Sequence, residues 1–196
     1  MRIIAGSARG RQIEALPGLA TRPTLDRVKE AMFGALQFDL PGSHVLDLFS
    51  GSGNLGLEAA SRGAKLVVCN DDSVACAALI RKNAAAVRLS DVVTVMQLDY
   101  REAIRRLAAS GLRFDFAFLD APYASGFAED AARMLFAEGL MQPDGLVLIE
   151  HSSTAAPPQD VRGIMRRRRT KKFGACAVSE LSLIHISEPT RLRCIS

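Results

Sequence analysis

Histidine is scarce in this chain, and the three present, His44, His151 and His185, lie too far apart in sequence to suggest a ligand set or a catalytic triad. Cys69, Cys76, Cys176 and Cys194 show no metal-ligand spacing either, so no metal is expected and the thiols read as reduced, buried small hydrophobes. No uninterrupted apolar run reaches membrane-spanning length, and the start, Met1-Arg2-Ile3-Ile4-Ala5-Gly6, turns polar too soon for a secretion signal. A cytoplasmic protein with no membrane partner is the expectation. Internal repeats and low-complexity linkers are also missing.

What is present is 196 residues of 48% hydrophobic composition, enough for one sizeable core and too short for two ordinary domains. A monomer of one compact unit is expected. Residues 1–40 read as an N-terminal extension of strand, loop and helix, in which Thr24 can cap a helix with Val28, Met32, Phe33 and Leu36 on one face. Arg22, Arg27 and Lys29 are then left for solvent or ligand. Residues 41–180 alternate short apolar runs with amphipathic stretches, as parallel strands joined by crossover helices do. Strands are predicted at Val45 to Phe49, Leu66 to Cys69, Val92 to Met96, Phe114 to Leu119 and Leu146 to Ile149; the helices between them fall near 55–62, 73–87, 101–109 and 129–137. This is a doubly wound α/β sheet, in which ligands bind beyond the carboxyl ends of the strands. Leu181 to Arg191 reads LSLIHISEPTR, which looks like one translation frame of a sequencing-transposon adapter, the alternative being a final strand followed by a polar tail. Residues 181–196 are therefore expected to be a non-native tail that carries no function, and the last strand to be truncated or patched with foreign residues.

The run Val45-Leu46-Asp47-Leu48-Phe49-Ser50-Gly51-Ser52-Gly53-Asn54-Leu55-Gly56 joins a strand to a helix through a glycine-rich turn. Its glycines permit close backbone approach and the helix start offers unpaired amides. Gly51, Gly53 and Gly56 also satisfy the dinucleotide fingerprint, a weak signal alone. Asp47 separates the two readings: a carboxylate just before the glycines repels a pyrophosphate but suits the ammonium of S-adenosylmethionine, directly or through water. Phe49 and Ser52 belong to the same candidate cofactor site. The second strand ends at Asn70-Asp71-Asp72, where Asp71, with Asn70 beside it, can grip a ribose, or Asp72 and Ser73 can simply cap the next helix. After the third strand Asp99, next to Tyr100, can accept from an adenine amino group or cap a helix.

The strand Phe116-Ala117-Phe118-Leu119 delivers Asp120-Ala121-Pro122-Tyr123 to the same sheet edge. An exocyclic purine amine is a poor nucleophile because its lone pair is delocalised into the ring. Asp120 and the Ala121 carbonyl form an acceptor pair that can hold the amino hydrogens and aim the lone pair at a sulfonium methyl, which is positioning and electrostatic catalysis. Pro122 stiffens the turn, and Tyr123 offers a ring for stacking a flipped base. A plain Asx-Pro turn is the bland alternative.

With these residues in this order, the chain resembles the bacterial small-subunit (16S) ribosomal RNA guanine-N2 methyltransferases, within the class I S-adenosylmethionine-dependent enzymes. The resemblance covers about residues 1–180 and is carried by MRIIAGSARGR, TRPTLDRVKEAMF, LDLFSGSGNLGLEAASRGA and FLDAPY. It implies a Rossmann-like, mostly parallel seven-stranded sheet with a reversed last strand. It also implies cofactor roles for Asp47, Gly51 and Gly53, catalytic roles for Asp120, Pro122 and Tyr123, and ribosomal RNA or small-subunit ribonucleoprotein as partner. Arg22-Pro23-Thr24, with Asp26 and Arg27, matches the family's motif near the active-site mouth. Two departures stand out: the family usually has two prolines where this chain has Ala121-Pro122, and an acid where Asn70 stands.

The net charge of +4 is modest but gathered into two basic clusters. One holds Arg9, Arg11, Arg22, Arg27 and Lys29; the other holds Arg162, Arg166, Arg167, Arg168, Arg169, Lys171 and Lys172. Either they are solvated faces or they grip phosphates around the pocket. Few aromatics accompany them, which favours a folded RNA backbone over stacking along a single strand. Glu150 and His151 follow a predicted strand end and read as surface residues that can reach the pocket. The rival functions are an adenine-N6 or DNA-base methyltransferase, a nicotinamide-dependent oxidoreductase and a non-catalytic RNA-binding protein.

Overall fold

The computed structural model describes residues 1–15, 23–122, 126–155 and 165–183, with residues 23–26 described as backbone only. Twelve elements follow one another: α1 (Pro23–Leu36), β1 (His44–Asp47), α2 (Asn54–Ser61), β2 (Leu66–Asn70), α3 (Val74–Ala86), β3 (Val93–Met96), α4 (Tyr100–Ala109), β4 (Phe114–Leu119), α5 (Phe127–Ala137), β5 (Met141–Ser152), β6 (Met165–Phe173) and β7 (Cys176–Leu183). The strands form one seven-stranded sheet in the order β3-β2-β1-β4-β5-β7-β6. The pairings from β3 to β5 are parallel, while β7 runs antiparallel to both its neighbours. The order turns at β1 and β4, and at such a reversal the carboxyl ends splay to leave a crevice.

Side chains alternate across a strand, so each strand feeds two cores. Val45, Val67, Phe116, Phe118, Leu148 and Val178 face the side covered by α1, α2 and α3. Leu46, Val68, Ala117, Leu119, Ile149 and Leu181 face α4 and α5. Because both faces are buried, the central strands read as continuous apolar runs, which is why their positions were predictable. Phe33 of α1 is fully buried and meets Phe118 with ring centroids 5.2 Å apart, tying the N-terminal helix to the middle of the sheet.

The N-terminal extension departs from expectation in three respects, the first being that α1 begins at Pro23, so Thr24 lies inside the helix and does not cap it. In place of a strand there is a single antiparallel bridge, Arg2 to Gln12, with the loop closed by hydrogen bonds such as Ile3 N–H to Arg11 O (3.0 Å). Lys29, expected to be free, is buried at 1% exposure. Its ammonium donates to Arg2 O (2.8 Å) and Asn54 Oδ1 (2.9 Å) and lies 3.1 Å from Glu58 Oε2. Glu58, also fully buried, accepts from the Ile4 and Ala5 amides (2.8 and 3.0 Å) and from Arg62 Nε (2.7 Å). A buried carboxylate with this many donors is compensated, so the network clamps residues 2–5 onto α1 and α2. Gly6 completes the clamp: a Cβ there would lie 1.8 Å from Ser61 O, so only glycine fits.

At the other end of the chain, β5 is longer than predicted and carries Glu150 and His151 inside the strand. The arginine run forms much of β6, the edge strand. β7 takes in Leu181, Ser182 and Leu183, with Leu181 fully buried opposite Val147 and Arg167. The first three residues of the segment expected to be foreign thus complete a strand of the sheet.

Candidate cofactor and base cleft

Alternation and register together build an acidic cleft. Asp47 ends β1 on the face of Val45, Asp120 follows β4 on the face of Phe118, and Glu150 lies in β5 on the face of Leu148. By register Asp120 and Glu150 follow side by side, while Asp47, level with Phe118, stands two residues further back on the same face. All three line one cleft together with Met1, Val28, Lys29 and Met32 and with residues of the glycine turn.

Asp47 is 1% exposed. Its Oδ2 accepts from the Gly56 amide (2.8 Å), while Oδ1 has no hydrogen-bond partner among the described residues. Burial pushes its pKa up to about 7, opposed by the Gly56 and Ser50 hydrogen bonds and assisted by the charge of Asp71. The turn glycines have distinct jobs. Gly51 has φ +54° and nothing within 4 Å of where a side chain would project, so its backbone stands open to the cleft. Gly56 is packed: a Cβ would meet Cys69 Sγ at 2.4 Å and Asp47 Oδ2 at 3.2 Å, so a side chain there would separate α2 from both β2 and Asp47. Gly53 supplies the left-handed N-cap of α2.

The other candidate cofactor residues divide between lining the cleft and bracing it. Phe49 and Ser52 line it directly. Asp71 accepts from the Gly51 amide through Oδ2 (2.8 Å) and from the Ser73 amide through Oδ1 (3.0 Å), fixing the turn to the end of β2. Asn70 is buried and donates to Leu48 O (3.3 Å) and Leu98 O (3.0 Å); its Oδ1 has no partner among the described residues. Asp99 is exposed and caps α4 through the Arg101 amide (2.9 Å). Tyr100 is 5% exposed, packed between Phe49 and Phe127, and its hydroxyl donates to Asp130 (2.8 Å). That contact, with burial as the larger cause, pushes the phenol up to about 12. Tyr100 is therefore a wall behind Phe49, with its polar end occupied.

Asp120 opens to water on its cleft side while protein encloses the rest. That enclosure first, then the carboxylates of Glu150 and Asp47, hold its pKa above the ordinary carboxylate range. Ala121 is buried and Pro122 exposed; Tyr123 lies outside the described residues. Glu150, read from sequence as a surface residue, is only 8% exposed. The missed signal was alternation: continuing the buried run Leu146 to Ile149 by one residue puts Glu150 on the face of Leu148.

The basic residues are less tightly grouped than the sequence suggested. Arg9, Arg11 and Arg27 are exposed, and Arg11 reaches Ala86 O at 3.4 Å. Arg22 and Arg162 lie outside the described residues, and Thr24 is described only as helical backbone. Through β7, Arg166 and Arg169 stand level with Leu146 and Leu148, towards the strand starts, whereas Lys171 and Lys172 stand level with Glu150 and His151. Arg166 is thus four residues, roughly 13 Å, further from the carboxyl edge than Lys171. Arg169 is also committed to Glu180 at 2.7 Å. On geometry the two lysines are the better placed flank of the cleft. Among the described residues no cluster of His, Cys, Asp and Glu could hold a metal ion, and no helix is long and apolar enough to cross a membrane.

Residues 1–181 match the family described as "Conserved hypothetical protein 95", and the chain belongs to that family. It is 36% identical over 154 residues to ribosomal RNA small subunit methyltransferase D of Haemophilus influenzae, covering 76% of this chain and 78% of that one. The protein of the same name from Escherichia coli K12 is 32% identical over 150 residues, covering 76% and 74%. The sheet superposes on a solved hypothetical protein of Thermus thermophilus with a TM-score of 0.79 at 26% identity, covering 93% of this chain and 99% of that one. The resemblance read from the motifs and the reversed strand it implied are both borne out.

Proposed function

We propose that this chain transfers a methyl group from S-adenosylmethionine to the exocyclic N2 amine of a guanine in small-subunit ribosomal RNA. The observation that carries the reading is Oδ1 of Asp47, which has no hydrogen-bond partner among the described residues and is buried in the cleft that Asp120 also lines. A buried carboxylate oxygen with no donor is costly. The ammonium of S-adenosylmethionine meets that need; the pyrophosphate of a nicotinamide dinucleotide would aggravate it. The similarity to ribosomal RNA small subunit methyltransferases supports RNA as the substrate.

When bound, the cofactor supplies an electrophilic methyl on a sulfonium sulfur. Asp47 would hold the cofactor's ammonium, and Gly51 would let the backbone lie against it, with the turn braced by Asp71. Asp120 and the Ala121 carbonyl would accept the two amino hydrogens of the target base and orient its lone pair. The raised pKa of Asp120 also suits it to take the proton that the amine releases after transfer. The apolar side chains of Met1, Val28 and Met32 would limit water around the reacting atoms. Exposed arginines and lysines would grip phosphates.

Calorimetric titration tests the cofactor: heat is expected with S-adenosylhomocysteine and none with nicotinamide dinucleotide, and the reverse result removes the reading. Mass spectrometry of nucleosides from small-subunit ribosomal RNA, after incubation with labelled cofactor, should then show N2-methylguanosine.

A further inference from the structure

We propose that Asn83 is a positioning residue for the cofactor: from outside the cleft, its side-chain amide fixes a peptide of the glycine turn and seats the N-terminal extension beside it. The inference rests on the cofactor reading above and deepens it. Asn83 stands in the last turn of α3 and is buried. Its Nδ2 donates to Ser52 O (2.9 Å) and to Glu14 O (3.0 Å), while its Oδ1 accepts from the Glu14 amide (2.9 Å). One planar group thus pairs with the backbone of Glu14 as a neighbouring strand would, and gives its remaining hydrogen to the turn.

The Ser52 carbonyl belongs to the peptide that enters Gly53, the left-handed residue at which α2 begins. Because a peptide is planar, holding that oxygen also holds the Gly53 amide, next to Gly51 and Ser52, which line the cleft. Through Glu14 the same side chain reaches the cleft by a second route. One residue earlier, the Ile13 amide donates to Met1 O (2.9 Å); Met1 lines the cleft, and its Sδ accepts from the Ser52 hydroxyl at 3.7 Å. The contacts close a ring from Asn83 through Glu14, Ile13, Met1 and Ser52 back to Asn83. Removing the amide leaves buried backbone groups of Ser52 and Glu14 unpaired and loosens two parts of the cleft at once, the glycine turn and Met1. The neighbouring ion pair of Lys82 with Glu14 (2.7 Å) is exposed and stands outside the ring, which makes Lys82 the control.

The test compares wild type, Asn83→Ala and Lys82→Ala in S-adenosylhomocysteine affinity by calorimetry, and in kcat and cofactor KM for methyl transfer to small-subunit ribosomal RNA. Asn83→Ala should weaken S-adenosylhomocysteine binding and raise the cofactor KM by about 10- to 100-fold, the range expected when a supporting contact is lost. Its kcat at saturating cofactor should stay within about threefold, because Asp120 is untouched. Lys82→Ala should leave both quantities within about twofold. An amide that only stabilises the fold would lower the melting temperature of Asn83→Ala and leave cofactor affinity and KM unchanged; that result would overturn the role. If Asn83→Ala does not fold, hydrogen exchange on the wild-type protein decides. S-adenosylhomocysteine should slow exchange of the Glu14 amide, which Asn83 holds, together with that of the Gly53 and Gly56 amides of the turn. Protection confined to the turn would equally overturn the role. A wild-type protein that gives no heat with S-adenosylhomocysteine would instead overturn the cofactor reading on which the role rests.

Discussion

Two groups of buried charge in this protein are built on opposite terms. Around Glu58 every demand is met: two backbone amides, the Lys29 ammonium and the Arg62 guanidinium converge on one carboxylate. Around Asp47 the demands are left open: Asp120 and Glu150 add charge of the same sign, and one Asp47 oxygen has no donor among the described residues. The first arrangement holds the extension to the core without any ligand. The second leaves a carboxylate oxygen of Asp47 open towards the cleft. Burial of charge is thus a poor guide to function by itself, whereas a buried carboxylate oxygen left without a donor at the carboxyl edge is a good one.

The largest effect should come from breaking the compensated group. Lys29→Met leaves Glu58 one cation short in a dry site and is expected to cost about 3–5 kcal/mol in urea unfolding. A loss under about 1 kcal/mol would mean that the network is not a clamp. Asp120→Ala should show the opposite profile, with the transfer rate down by about 10²–10³-fold and thermal stability unchanged or raised. A folded variant that methylates at the original rate would reduce the strand-end tetrapeptide to a turn.

Asp47→Asn sharpens the contrast through pH. The folded pKa of about 7 lies above the ordinary aspartate value of 3.8, so the native state holds its proton over a window in which the unfolded chain has lost it. Stability of the cofactor-free protein should therefore fall as pH rises from about 4 to 7. The Asn variant should lose much of that slope and bind S-adenosylhomocysteine about tenfold or more weakly, the loss of a charged acceptor. An identical slope would detach Asp47 from the titration. The smallest effect separates the basic patches: Lys171→Ser with Lys172→Ser should lower the salt slope of RNA binding by about 2, and Arg166→Ser with Arg167→Ser by less. Equal slopes would erase the distinction drawn from register.

The sheet was legible because strands buried on both faces leave uninterrupted apolar runs, and Asp47 and Asp120 were legible because each directly follows or ends such a run. Glu150 was not, since a carboxylate within a strand looks like the strand's end until the neighbouring register is known. Lys29 was misread for a related reason: helical spacing says which face a residue occupies, but its partner Glu58 is on another helix and 29 positions away. Asp99 was offered two roles, and the rival to a ribose-gripping Asp71 was a helix cap by Asp72 and Ser73; Ser73 does cap α3, and backbone amides occupy Asp71 and Asp99 without deciding what a ligand would do there.

The arginine run of β6 has a further consequence. A strand on the rim of a sheet presents unpaired backbone groups to any other chain, and long flat rims invite polymerisation. Here the rim strand carries Arg166 to Arg169 with a bulge between Arg167 and Arg169, followed by two exposed lysines. A second copy approaching edge to edge would bring like charges against each other and meet a broken ladder. Even if no phosphate ever touches these side chains, they guard the open margin of the sheet against aggregation, and trimming them to apolar residues would trade solubility for a sticky seam.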